Sequence, residues 1–229
     1  MANVRLVIFD VAGTTAKDNG LVVNAFQEAM VASGFKPDTA DMNQAIEYVK
    51  ATMGQRKIDV FREVFQNDMG KAMIAHKKFD ESYTSMVRRG DLEEFEGVSE
   101  FFSNLNQMGI GVAITTGFPR SILSEIIEKL NWTDLVNISV ASDEVNEGRP
   151  APDMILESIR LYNRKFFTNI APSEVVVVGD TDSDMQSGVR ANVKQIVGVT
   201  SGAMDKSILL TSGATNVIDY CTDLLTIIN

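Results

Sequence analysis

Apolar residues fall in two patterns along this chain, short continuous runs and helical stripes, and the order of the two divides the sequence. Arg5-Leu6-Val7-Ile8-Phe9 is a compact branched and aromatic run. Its length and composition predict a strand buried on both faces. It stops at Asp10 and passes into a small-residue turn, Val11-Ala12-Gly13-Thr14-Thr15. From about Leu21 to Arg89 no alternating strand pattern appears. Val22, Ala25, Phe26, Ala29 and Met30 lie at i, i+3, i+4 spacing and form one apolar helix face. Gly34 is placed to end that helix, and Pro37-Asp38 opens the next segment. Further helices are predicted over 39–51, 55–67 and 69–88.

From Gly97 strands and helices alternate. Residues 98–108 read as a helix and 109–117 as a buried strand ending in Thr115-Thr116-Gly117. Residues 121–130 read as a helix with Pro119 near its first turn, 138–141 as a short strand and 153–163 as a helix. Val175-Val176-Val177-Val178 is the clearest core strand; it runs into Gly179-Asp180-Thr181-Asp182-Ser183-Asp184 and a helix from Asp184 to Arg190. Strands follow at 195–199 and 215–218. Such alternation implies right-handed crossovers and a parallel sheet with helices on both faces. The expected fold class is α/β, a Rossmann-like parallel sheet carrying an inserted all-helical cap. The expected division is a core of 1–16 and 95–229, with the cap at 17–94.

Composition narrows the function classes. At 229 residues, 45% hydrophobic and 23% charged, the chain is typical of a globular protein, and no apolar run approaches a membrane span. Strand-like sequence begins almost at Met1, so no signal peptide is expected. The single cysteine, Cys221, excludes an internal disulfide, suits a cytoplasmic location and reads as a buried thiol. A net charge of −10 argues against nucleic acid or an anionic membrane as partner. An anionic small-molecule substrate would therefore need local positive charge.

The chemistry-bearing residues gather at predicted strand ends. Asp10, Thr116-Gly117, and Asp180 with Asp184 close three strands, and Arg149 lies in a loop between a strand and a helix. Ligands in open α/β sheets collect at the carboxyl ends of strands. Carboxylates from two strands suit a hard cation such as Mg²⁺, while threonine, adjacent amides and arginine suit phosphoryl oxygens.

In this order, Asp-x-Ala-Gly-Thr, strand-Thr-Gly, a basic residue before proline, and Gly-Asp-x-x-x-Asp resemble the haloacid dehalogenase superfamily. The resemblance covers nearly the whole chain and places the helical block as that family's first type of cap. It implies Asp10 as nucleophile through an aspartyl phosphate, Thr14, Thr116, Gly117 and Arg149 as phosphate-binding residues, and Mg²⁺ held by Asp10, the Ala12 carbonyl, Asp180 and Asp184. Ordinary phosphatases of the family carry a second aspartate where this chain has Ala12. That aspartate is an acid–base group worth typically about 10²–10⁴-fold.

Ala12 and Arg149 together resemble the phosphonatase branch, phosphonoacetaldehyde hydrolase and its relatives. Met53-Gly54-Gln55-Arg56-Lys57-Ile58-Asp59 matches the cap stretch that carries that branch's lysine. The resemblance implies Lys57 as a Schiff-base residue, Met53 and Gly54 beside the substrate, and Ala12 as the substitution that marks the chemistry. Cleaving a carbon–phosphorus bond leaves a carbanion, which an iminium formed by Lys57 with a carbonyl would accept. The main expectation is Mg²⁺-dependent cleavage of a small carbonyl phosphonate such as phosphonoacetaldehyde. The alternatives are a phosphomonoesterase of the phosphoglycolate phosphatase type and a phosphate-binding protein without turnover. Val60, Phe118 and Gly20-Leu21 depart from the branch at positions where it carries a histidine, an aromatic hydroxyl and a cysteine. Arg56 is expected about 100° from Lys57 around a helix, assisting it electrostatically. His76 is expected on a helix surface, Trp132 in packing, and Asp143-Glu144 and Asp182 in turns. Ser183 is placed to donate to the acidic loop. The cap methionines read as core, with a homodimer through the cap as the partner expectation.

Overall fold

The computed structural model describes residues 4–228. Strand β1 (Leu6–Phe9) leads through a tight turn to β2 (Ala16–Lys17). Four helices follow, α1 (Leu21–Ala32), α2 (Ala40–Ala51), α3 (Lys57–Val64) and α4 (Met69–Arg89), before the chain returns as β3 (Glu93–Glu94). The α/β part continues as α5 (Val98–Gln107), β4 (Gly111–Thr116), α6 (Arg120–Lys129), β5 (Ile138–Ala141) and α7 (Asp153–Phe166). It closes with β6 (Val175–Gly179), α8 (Asp182–Arg190), β7 (Gln195–Val199), α9 (Lys206–Thr211), β8 (Asn216–Ile218) and α10 (Leu225–Ile228).

The main sheet has six strands in the order β5-β4-β1-β6-β7-β8, and every pairing in it is parallel. β1 is bracketed by β4 and β6, with Phe9 level with Ile114 on one side and Val178 on the other. This register sets the ends of the three strands side by side. Successive β1 side chains enter opposite layers, as the pleat requires. Val7 and Phe9 join the core that continues into the cap, while Leu6 and Ile8 pack with Ile155 and Ile159 of α7, Met185 of α8 and Leu209 of α9. Covering the sheet on both faces explains why its strands read as unbroken apolar runs, each buried Val or Ile contributing about 1.5–3 kcal/mol.

The cap is centred on aromatic rings. Phe26 of α1 lies 4.6 Å from Phe61 of α3 and 4.7 Å from Phe79 of α4. The series runs on through Tyr83 to Phe118 of the α/β part, with ring centroids 4.4 Å apart in the last pair. Cap and sheet therefore share one apolar cluster.

Several boundaries differ from the sequence reading. α3 is eight residues long, because Gln66 and Asn67 take positive φ and turn the chain early. α8 begins at Asp182, since the Thr181 hydroxyl caps it by accepting from the Asp184 amide. The antiparallel β2–β3 ribbon, α9 and α10 are additional elements, too short to show a period. Trp132 is buried, and its Nε1 donates to Glu94 at 2.8 Å. Cys221 is buried as well, and burial pushes its thiol up to about 12. His76 is half-buried against Phe61 and stands 3.5 Å from Asp80. Of the cap methionines Met30 and Met42 are core, whereas Met69 and Met73 are exposed.

Candidate active site

Asp10 directly follows β1, and its amide donates to Val178 O, so its backbone prolongs the strand pairing. The carboxylate is buried and ion-paired with Arg149. Arg149 Nη2 donates to Thr115 Oγ1 at 2.6 Å, and Nη1 stands 3.0 Å from Asp184 Oδ1. The other oxygen of Asp184 accepts from the Thr181 amide and hydroxyl in the cap of α8. Asp180 accepts from Thr14 Oγ1 at 3.0 Å and from the Ala203 amide at 2.8 Å. The chain approaches Asp180 so closely that a Cβ on Gly13, whose φ is +92°, would lie 2.4 Å from its carboxylate.

A cavity of about 370 Å³ opens above this floor, between sheet and cap. Asp10, Ala12, Asp180, Thr116, Gly117, Met53, Gly54 and Lys57 line it, as do Asp18 and Phe118. A larger groove of about 780 Å³ lies on the cap beside Phe35, Tyr48 and Glu63, away from the sheet's carboxyl edge and from every strand-end carboxylate. The chemistry belongs to the smaller cavity.

Lys57 is the first residue of α3 and is only 4% exposed. Its Nζ donates to Gln55 O at 3.2 Å and stands 5.1 Å from the Phe118 ring centroid. Burial draws the ammonium down to about 8, against the opposing pull of Asp10 and Asp18. Burial likewise raises Asp10 to about 7, although Arg149 opposes it, and raises Asp180, whose neighbours include Asp10 and Asp184. Arg149 stays charged: burial disfavours the cation, but Asp184 and Asp10 hold it.

The site thus concentrates Asp10, Asp180 and Asp184 around one guanidinium. Among the described residues no three acidic, histidine or cysteine side chains close into a ready metal cage. Mg²⁺ needs none, since it is commonly held by one or two carboxylates with several waters. The surplus of buried negative charge at Asp10 and Asp180, both facing the cavity, fits such an ion.

A family model for haloacid dehalogenase-like hydrolases matches residues 7–198. The chain belongs to the haloacid dehalogenase-like hydrolases. Among curated relatives, a pyrophosphatase PpaX of Bacillus cereus is 22% identical over 191 residues, 83% of this chain and 81% of that protein. A phosphorylated carbohydrates phosphatase of Thermotoga maritima is 25% identical over 212 residues, 93% of each. The crystal structure of a phosphonoacetaldehyde hydrolase like protein from Oleispira antarctica superposes with a TM-score of 0.80 at 22% identity, covering 98% of this chain and 91% of that one. Among the described residues of this hydrolase no helix is long and apolar enough to cross a membrane.

The structure brings the sequence-predicted residues together, with three redistributions. Thr14 does not line the cavity; its hydroxyl is committed to Asp180. Arg149 and Asp184 form the layer beneath the cavity wall. Arg56 is not a helical neighbour of Lys57. It is the extended residue before α3, and its guanidinium bonds to Val145 O and Asn146 O of the core. The sequence places Thr115 at a marked strand end without a role of its own, and it does not single out Asp18. Thr115 was visible as a strand-end hydroxyl, whereas nothing local marks Asp18, which caps the turn into α1 by accepting from Gly20 and Val22.

Proposed function

We propose that this hydrolase is Mg²⁺-dependent and transfers a phosphoryl group from a small substrate to Asp10. The observation that carries this reading is the Asp10 carboxylate itself. It lies buried at the end of the central strand, oriented by Arg149, and faces a cavity lined by Thr116 and Gly117. Asp10 attacks phosphorus, the bond to the leaving group breaks, and water then cleaves the aspartyl phosphate to release phosphate and restore the carboxylate. Asp10, Asp180 and the Ala12 carbonyl would hold Mg²⁺, which when bound offsets the repulsion between carboxylate and phosphoryl oxygens. At 4 Å and an effective dielectric near 20 that repulsion is roughly 4 kcal/mol per charge pair.

Hydrolysis of a small phosphate ester or anhydride is the substrate reading that the curated relatives support, since both act as phosphatases. A second reading, cleavage of a carbonyl phosphonate, is favoured by one specific pair. Ala12 supplies no acid for a leaving oxygen, and Lys57 is a buried amine of lowered pKa in the same cavity. There the amine condenses with the carbonyl and releases water. The P–C electrons pass to the iminium, and the enamine is protonated and hydrolysed from Lys57.

Two assays on the same protein separate the readings. Phosphate release from aryl and sugar phosphates that survives Lys57→Ala supports ester hydrolysis. Borohydride trapping of Lys57 with phosphonoacetaldehyde supports C–P cleavage, and failure to trap it removes the Schiff base. Asp10→Asn, silent in phosphate release from esters and phosphonate alike and unlabelled by phosphate, tests the nucleophile common to the two, while its Lys57 remains open to borohydride trapping.

A further inference from the structure

The cap segment 53–56 touches three core loops at the site, those carrying Gly117, Arg149 and Asp180, and at each contact a glycine leaves no space. A Cβ on Gly54 would lie 2.5 Å from Thr181 Oγ1, in the loop carrying Asp180. One on Gly117 would lie 2.4 Å from Gln55 O, and one on Gly148 2.8 Å from Arg56 Cβ. At the third contact Arg56 Nη2 donates to Val145 O at 2.7 Å and Nη1 to Asn146 O at 3.1 Å. Its side chain is only 17% exposed, and Nε has no hydrogen-bond partner, lying 4.0 Å from Asp59. The forked guanidinium is thus spent on two successive carbonyls of the loop that leads directly into Gly148 and Arg149. Because Arg56 is extended and Lys57 begins a helix, adjacent side chains diverge, one into the core loop and one into the cavity.

We propose that Arg56 is a positioning residue for the reaction. By clamping the 145–148 loop it couples docking of the cap, and with it entry of Lys57 into the cavity, to the placement of Arg149 against Asp10. This inference rests on the reading that Arg149 serves chemistry at Asp10, and the clamp itself is measurable without turnover.

The test is backbone hydrogen exchange on the full chain, comparing wild type with Arg56→Ala, Arg56→Lys and Gly148→Ala. Arg56→Ala should speed exchange in 145–149 by roughly tenfold or more, since it removes two hydrogen bonds, each worth up to about tenfold, while the middle of α4 keeps its wild-type rate. Gly148→Ala keeps Arg56 but wedges it away, and should accelerate the same loop. Lysine should not restore protection, because one ammonium does not span two carbonyls as a fork does. With p-nitrophenyl phosphate and Mg²⁺, Arg56→Ala should lower kcat by roughly tenfold with little change in KM. Unchanged exchange in 145–149 for both Arg56→Ala and Gly148→Ala overturns the clamp. Equal acceleration throughout α4 also overturns it, by reducing Arg56 to cap stability. A wild type that forms no phosphoaspartate counts instead against Asp10 as nucleophile, and leaves the exchange result to decide the clamp.

Discussion

On the floor of the cavity the charged groups are tied to one another. Asp10 and Asp184 share Arg149, Asp180 is held by Thr14 and Ala203, and all of these groups stand on the ends of adjacent parallel strands or in the loops just after them. On the roof, Lys57 has one carbonyl and the face of Phe118, and the segment that carries it is held by Arg56. The floor is preorganised by strand register, with its dipoles and charges fixed before substrate arrives. The roof is put in place by docking of one helical unit on the sheet. Charge placement that must not vary is therefore built into the sheet. Lys57, the group proposed to distinguish substrates, arrives on the helical cap.

Experiments can break this division, and the largest effect belongs to the floor. Asp10→Asn should lower phosphate release by on the order of 10⁴–10⁶-fold with little change in the circular dichroism spectrum, since a lost nucleophile removes the reaction and not the fold. Appreciable residual turnover would move the nucleophile elsewhere. In the cap, Phe61→Ala empties the centre of the aromatic cluster, where Phe61 is fully buried beside Phe26 and Phe79. It should cost about 3–5 kcal/mol in urea unfolding. A loss under 1 kcal/mol would mean that the cap does not depend on that cluster.

Lys57→Ala comes next. Under the carbonyl-phosphonate reading kcat should fall about 10²–10⁴-fold, and under the ester reading the loss should appear mainly in KM. Ala12→Asp then sharpens the contrast by returning a carboxylate to the floor. Ester hydrolysis should rise, by up to about 10²-fold, whereas any C–P activity should not gain, because its leaving carbon needs no such acid. The smallest effect is a slope with pH. Lys57 is held down to about 8, so it is mostly charged below that pH and mostly neutral above it. A Schiff-base amine makes kcat/KM climb as pH rises toward 8 and level off beyond; a lysine used as a cation makes kcat/KM fall above 8. The sign of that slope, measured with wild type and lost in Lys57→Ala, decides which form is used.

Much of the floor was legible in one dimension. A buried parallel strand writes itself as a continuous apolar run, and its last residue is where a ligand-facing group must stand, so Asp10, Thr116 and Asp180 could be picked out from run ends alone. Helical period likewise disclosed the inserted block, because a helix buries one face against its neighbours and repeats that face every turn. Where the reading slipped, the deciding contact was distant or very short. α8 starts two residues early through one hydroxyl cap, and Thr14 serves Asp180, a residue 166 positions away.

What the sequence determined by itself is the layered α/β architecture, the helical insertion and the strand end that carries Asp10, all of which follow from periodicity and side-chain chemistry. Tertiary structure alone decided that Lys57 faces Asp10's cavity as a buried amine drawn down to about 8, that Arg149 supports the floor from below, and that Arg56 leaves its helix to grip the core. Burial and through-space charge set those outcomes, and both depend on which loops meet, a property that no local window of residues contains.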